Sequence, residues 1–350
     1  MFHQLSKTAL KRIVWGATGV MAVSLSSCTS TPKTNEVDAS APTDTRLEDE
    51  LQIVTTFLPI TQFATAVAGD RAQIVQLLPA NIDPHDYQAR PSDIQAIANA
   101  DVIIKNGLEM EFFLDDMIEN AENADLALID TSQGISTLES TEEHSHSHSH
   151  NEEAHDEEVH DEGSHDEENH GEENHGDADP HIWLDPKRAI KQVENIKDGL
   201  IAADPEGETV YTANAEAFIT ELTALDTEIA EVLSPFEGQT FVVLHDFAGY
   251  FADSYGLQFQ ALVELPEDNP SPEDIRRVIE TVQSEGLSTI LAEPQVEQAS
   301  FETIANDLGA SISTFNPMET GDSAATDPDN YIDNMRQNAE NLAAGFESSS

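Results

Sequence analysis

One stretch of this chain cannot build a core, and it divides what can. From Glu142 to Asp177 the sequence is almost entirely Glu, Asp, His, Ser, Asn and Gly. It carries His144, His146, His148, His150, His155, His160, His165, His170 and His175, nine of the 13 histidines. A segment this polar buries too little apolar surface to offset the entropy of ordering it. A His- and acid-rich loop over 140–178 is therefore expected to be disordered in the metal-free protein. The fold must come from the two flanks, and the tract runs directly into Asp179-Pro180-His181-Ile182-Trp183-Leu184-Asp185-Pro186, whose composition is that of packed structure.

Both flanks alternate strand and helix patterns. In the first, strands are expected at Leu51–Phe57, Gln73–Leu78, Asp101–Lys105 and Leu126–Ile129. Helices are expected from Pro59 to Ala68, from a capping pattern at Ser92-Asp93-Ile94-Gln95, and from Glu109 to Asn120. After the tract come a helix at Pro186–Ala203 and a longer one over 204–235. On the longer helix Phe218, Leu222, Leu225, Ile229 and Leu233 recur at spacings of three and four. In the second flank, strands are expected at Phe241–Leu244, Phe259–Val263, Thr289–Leu291 and Ile312–Phe315. One helix opens at Ser271-Pro272-Glu273-Asp274 with Ile275, Val278, Ile279 and Val282 inward, and another runs from Pro328 to Phe346. Strands alternating with helices predict parallel sheets. The expected fold is α/β: two lobes (50–203 and 236–350), each a mainly parallel sheet with helices, bridged by one long rigid helix.

The amino terminus reads as an export signal. Lys7, Lys11 and Arg12 precede a short apolar run from Ile13 to Leu25, too short for a permanent span, and Leu25-Ser26-Ser27-Cys28 resembles a bacterial lipobox. Residues 1–27 are expected to form the signal peptide, Cys28 to be the lipidation site, and residues 28–49 to be a flexible tether. Cys28 is the chain's single cysteine, so no intrachain disulfide is possible. With 15 basic and 68 acidic residues the net charge is −53, which excludes nucleic acid and anionic membrane surfaces as partners and favours cations.

Outside the signal peptide and the tract only His85, His181 and His245 remain. Each lies in a loop or at a strand end, where ligands of α/β folds collect. Three imidazoles meeting in one cleft suit Zn²⁺ better than the harder Mn²⁺. Ligand histidines must be neutral, so affinity is expected to fall below about pH 6.5. Glu111, Asp246 and Asn316 are candidates for outer-shell roles or for the fourth position.

Four segments carry a family resemblance: Asp83-Pro84-His85-Asp86-Tyr87 with Arg90-Pro91-Ser92-Asp93; Asn106-Gly107-Leu108-Glu109-Met110-Glu111; Asp179 to Pro186; and His245-Asp246-Phe247-Ala248-Gly249-Tyr250-Phe251. Over residues 50 to 345 the chain resembles the zinc- and manganese-binding solute-binding lipoproteins of bacterial ABC importers, the zinc branch in particular. The resemblance implies that His85, His181 and His245 occupy the first three ligand positions. Manganese-type members tend to carry glutamate at the third. The fourth is expected where the last strand ends, at Asn316, and a water or a tract residue is the ligand envisaged there. Zn²⁺ would then be a transported ligand and not a catalytic cofactor. The protein would be a lipid-anchored, exported monomer on the periplasmic or cell-surface side, working with an ABC permease and its ATPase. The tract would be a low-affinity collector or buffer. Two alternatives stay open: an Mn²⁺-binding member of the same family, and a three-histidine zinc hydrolase, for which no HExxH or other base-bearing motif is present.

Overall fold

The computed structural model describes residues 50–138, 178–243, 245–261, 276, 280, 289–294, 311–322 and 324–348. The signal peptide, Cys28, the tether and the histidine tract lie outside the described residues. So do the helix start at Ser271–Asp274 and its apolar face.

The first sheet contains β1 (Leu51–Thr55), β2 (Ala72–Gln76), β3 (Val102–Lys105) and β4 (Ala127–Asp130), in the order β2-β1-β3-β4. The second contains β5 (Thr240–Val243), β6 (Gln258–Ala261), β7 (Thr289–Ala292) and β8 (Ser311–Thr314), in the order β6-β5-β7-β8. Every pairing is parallel; Ile53, for example, lies opposite both Ile74 and Val102. Central strands covered on both faces read as apolar runs, which is why Val102-Ile103-Ile104 and Phe241-Val242-Val243 are wholly buried.

The helices are α1 (Leu58–Ala68), α2 (Pro91–Ala98), α3 (Leu114–Ala121), α4 (Pro186–Ala203), α5 (Glu208–Leu233), α6 (Gly249–Ser254) and α7 (Pro328–Ser348). Helix α4 starts where the sequence places it: Pro186 takes the first turn, where its missing N–H costs nothing, and the Asp185 side chain accepts from Lys187 N at 3.1 Å. Two starts differ from expectation. Helix α2 begins at Pro91, and the capping carboxylate is Asp93, which accepts the Arg90 N–H at 2.9 Å; Ser92 is already inside the helix. Helix α3 begins at Leu114 instead of Glu109, because Gly107, Leu108 and Glu109 all take positive φ and turn the chain before a helix can form. Only glycine fits at 107, where a Cβ would lie 2.2 Å from Asp130 Oδ1.

Helix α5 has 26 residues, about 39 Å at 1.5 Å per residue, and is long enough to span the fold. Its inward stripe is Tyr211, Ala215, Phe218, Leu222, Leu225, Ile229 and Leu233, which packs against α1, α4 and α7. That packing joins the interiors of the two lobes into one continuous apolar cluster running from Ile53 to Phe346. Trp183 ties the same junction: its ring meets Phe57 edge-on at 5.0 Å, its Nε1–H donates to Pro317 O at 2.8 Å, and its own carbonyl accepts from Tyr331 Oη at 2.6 Å. Among the described residues no helix is long and apolar enough to cross a membrane. Since Leu222 is fully buried at the centre of the α5 stripe, Leu222→Ala should lower the unfolding free energy by about 2–5 kcal/mol, read from denaturant titration.

Candidate metal centre

The carboxyl ends of the strands carry the site. His85 lies in a one-turn helix, Pro84–Asp86, beyond β2; the Asp83 side chain starts that turn by accepting the His85 N–H at 2.9 Å. His181 follows β4 by way of the tract, and its C=O begins the turn Ile182–Leu184. His245 follows β5 directly. Open parallel sheets place ligands in the crevice outside the carboxyl ends of their strands, and both sheets here present such an end.

These three histidines converge. Their rings lie 5.6 to 5.8 Å apart, centroid to centroid, and a carboxylate, Glu319, joins them. One ligand atom from each of the four falls within 4.8 Å of all the others. Donor atoms around a tetrahedral zinc lie roughly 3.3 Å apart, given Zn–N bonds of about 2.0–2.1 Å, so a small inward movement of side chains closes this set on an ion. His181, His245 and Glu319 are 2, 4 and 1% exposed, whereas His85 is partly open to solvent.

The hydrogen-bond arrangement is directional. His181 Nδ1 pairs with Asp179 Oδ1 at 2.8 Å, and the same oxygen accepts the His181 backbone N–H at 2.9 Å. His245 Nδ1 pairs with Glu293 Oε1 at 3.0 Å. A carboxylate on Nδ1 orients each ring with Nε2 inward, so that a neutral ring would present its Nε2 lone pair there. The three Nε2 atoms stand 3.6, 3.2 and 3.5 Å from Glu319 Oε1 for His85, His181 and His245, yet none of these contacts has the alignment of a hydrogen bond. Buried polar atoms without partners are rare in native folds because each costs free energy. Four of them facing one another mark a place where a ligand fits.

Electrostatics follow from that crowding. Burial lowers the pKa of His181, but Asp179 and Glu319 outweigh it and lift the pKa to about 9. His245 is likewise raised, burial being overcome by Glu293 and Glu319. Burial raises the Glu319 carboxyl, yet His245, His181 and His85 together hold it well below the usual range. Without metal, then, the cluster stores protons on imidazole around an ionised carboxylate.

Glu319 was not foreseen. The sequence points to Asn316, at the strand end, but the Asn316 side chain is engaged elsewhere: its Oδ1 accepts the Met318 N–H at 2.9 Å and its Nδ2 donates to Asn334 Oδ1 at 3.0 Å. Met318 takes a left-handed φ of 64°, and this turn brings the next residue, Glu319, back into the cluster. A carboxylate four residues past a predicted strand is a usable signal, but the turn that aims it is not legible from composition. Glu293, immediately after β7, was missed as well. Asp246 is buried beside His245 and is not among the four clustered ligands. Glu111 organises the loop after β3: it accepts from Thr56 Oγ1 and Asn106 N at 2.7 Å and from Gly107 N at 3.1 Å. Asn106 in turn donates to Pro180 O at 2.9 Å, one residue before His181. Glu111 thus touches no ligand but fixes the loop on which one rests.

Two parallel α/β lobes around a buried N₃O donor set define a solute-binding protein of the metal-uptake type, and known proteins bear this out. A sequence profile described as "Zinc-uptake complex component A periplasmic" matches residues 53–345. The chain is 30% identical over 299 residues to the manganese-binding lipoprotein MntA of Halalkalibacterium halodurans, covering 85% of this chain and 88% of that one. It is 29% identical over 296 residues to the high-affinity zinc uptake system protein ZnuA of Bacillus subtilis, covering 84% and 87%. The zinc-binding lipoprotein AdcA of Streptococcus pneumoniae is 31% identical over 297 residues, but the match spans only 56% of its length. Among solved structures, a crystal structure of ZnuA superposes with a TM-score of 0.67 at 27% identity, covering 86% of this chain and all of that one. The chain belongs to the zinc-uptake component A family of solute-binding proteins, whose named relatives are zinc-binding, manganese-binding or zinc-uptake proteins.

Burial pushes the pKa of Glu111 up to about 7, against the opposing pull of its three hydrogen bonds. A carboxyl raised in the fold stabilises it fully below its unfolded value, near 4.5, and that contribution is lost as pH rises toward 7. The stability advantage of the wild type over Glu111→Gln should therefore shrink by on the order of 3 kcal/mol between those limits. Denaturant unfolding at a series of pH values reads this directly; a pH-independent difference would contradict it.

Proposed function

We propose that the protein captures extracytoplasmic Zn²⁺ between its two lobes, on Nε2 of His85, His181 and His245 and the carboxylate of Glu319, and delivers it to an ABC permease with its ATPase. The observation that carries this reading is the convergence of four buried ligand atoms with no hydrogen-bond partners. Three imidazoles and one carboxylate are a donor set that suits zinc's four-coordinate preference. Relatives named as zinc-binding and zinc-uptake proteins support the same cargo.

A manganese cargo is the second reading, favoured by the relative named as manganese-binding. The donor set argues against it, because Mn²⁺ prefers carboxylate and carbonyl oxygens and lies at the weak end of the divalent affinity order. A zinc hydrolase fits less well. Catalytic zinc keeps one position open for water, and here a fourth protein ligand stands in that place.

The supporting parts of the reading are a lipid anchor at Cys28, a monomeric state, and a collecting role for the tract. Weak imidazole sites tethered near the cleft would raise the local zinc concentration without contributing to its selectivity.

Competitive titration of the mature protein with Zn²⁺ and Mn²⁺ should show zinc bound more tightly by orders of magnitude. Equal or tighter manganese binding would reverse the assignment of cargo. His181→Ala and Glu319→Gln should each weaken zinc by more than about 100-fold, beyond the 10–100-fold typical of losing an outer-shell partner. Deleting residues 142–177 should lower the stoichiometry and leave one tight site.

Zinc must displace the protons held on His181 and His245. Affinity should therefore begin to fall below about pH 9, the pKa of His181, well above the pH 6.5 expected of free imidazoles. Isothermal titration across pH 6–9 measures the slope, and proton release on binding should accompany it.

A further inference from the structure

Consecutive residues of the second lobe pack on Asp179, whose backbone carbonyl one of them binds and whose carboxylate orients His181. Gly249 and Tyr250 open α6, four and five residues after His245. The Tyr250 hydroxyl donates to Asp179 O at 2.6 Å and accepts the Leu138 N–H at 3.2 Å. Asp179 N donates in turn to Leu138 O at 3.0 Å. At Gly249 a Cβ would lie 2.7 Å from Asp179 Oδ2, so the helix approaches that carboxylate as closely as backbone can. The other oxygen of Asp179 is the partner of His181 Nδ1.

Arg188 completes the arrangement. Its guanidinium lies over the Tyr250 ring at 4.4 Å, donates from Nε to Ser136 O at 3.1 Å, and donates from Nη1 to Asp185 Oδ2 at 2.6 Å. It holds the phenol ring from behind while the hydroxyl reaches across to residues 138 and 179. Tyr250 is itself buried, so its two hydrogen bonds form where water does not compete.

We propose that Tyr250 is a positioning residue for the metal site: through Asp179 it sets the orientation of His181, and so couples the lobe that carries His245 to the ligand on the opposite lobe. The segment from His245 to Tyr250 then acts twice, supplying one ligand and pinning the backbone of the residue whose carboxylate stands behind another. Without the Tyr250–Asp179 bond the backbone behind His181 is freer to move, so retention of the ion depends on this hydroxyl. The inference rests on the metal reading above.

Tyr250→Phe removes the hydroxyl and keeps the ring under Arg188. The control is Tyr211→Phe, which removes a buried tyrosine hydroxyl bonded to Asp204 at 2.7 Å, in the group formed with Arg71 and unconnected to the four ligands. The full chain is loaded with Zn²⁺, release is followed by chelator competition, and both variants are melted in parallel. Tyr250→Phe should release zinc about tenfold faster than wild type, the lower end of outer-shell effects, and should alter the visible absorption of the Co²⁺-loaded protein. Tyr211→Phe should lose comparable thermal stability and leave both readouts unchanged. Equal release rates for Tyr250→Phe and wild type, or equal acceleration in both variants, would reduce Tyr250 to an ordinary structural tie. Wild-type protein that fails to retain Zn²⁺ would overturn the metal reading and this inference together, whereas wild-type retention with an unaffected Tyr250→Phe overturns this inference alone.

Discussion

Four ligand atoms are buried against one another without a hydrogen bond among them, and the surrounding structure is arranged to hold them so. Left to relax, an imidazole Nε2 would turn toward water or a carbonyl. Here the carboxylates of Asp179 and Glu293 hold two of the rings from behind by Nδ1. Aromatic walls shut off the alternatives: Trp183 lies 5.2 Å from the His181 ring, and Phe247 lies 5.0 Å from that of His245. The cost of such a cluster is offset in the metal-free protein by protons, which the carboxylates of Asp179, Glu293 and Glu319 favour on His181 and His245. A divalent cation held there would replace those protons and satisfy the same atoms, so that its affinity and the pH dependence of that affinity would have one origin.

The ligands come from both sheets, so their spacing is set by how the lobes pack and not by any one loop. That is the purpose served by α5. A helix of 26 residues with a buried stripe along its length makes the interiors of both lobes one body. Trp183 adds a second, buried tie beside His181, joining Phe57 of the first lobe to Pro317 and Tyr331 of the second. Pro317 lies two residues before Glu319, so the same tie also helps to locate that carboxylate. Packing of this density transmits small displacements instead of absorbing them.

How much of this was legible depended on whether the signal was local. The helix at Pro186–Ala203 could be read to the residue because a proline and a capping aspartate mark its start. The stripe on α5 was equally plain, since burial along one face imposes a period. The three histidines stood out by being the only ones beyond the tract and the signal peptide. What could not be read was backbone conformation with no compositional mark. Positive φ at Leu108 and Glu109 delayed α3, and positive φ at Met318 brought Glu319, and not Asn316, to the three histidines. Non-glycine residues in that region give no warning in a sequence, because tertiary contacts impose the conformation. Glu293 was hidden for a different reason: among 68 acidic residues nothing but its neighbours in space distinguishes it.

The place at which the polar tract enters the fold is the last piece of physics. Leu138 and Asp179 flank it, and they are already joined to each other, backbone N–H to carbonyl at 3.0 Å. A chain held together at both ends of an insertion feels little of what lies between, because the entropy of closing a loop grows only with the logarithm of its length. The insertion can therefore vary in length and composition without altering the cluster two residues beyond its exit. Had the same histidines been inserted between β5 and His245, or between β8 and Glu319, every change in their number would have pulled on a ligand. The pairing of Leu138 with Asp179 insulates the cluster from changes in the insertion.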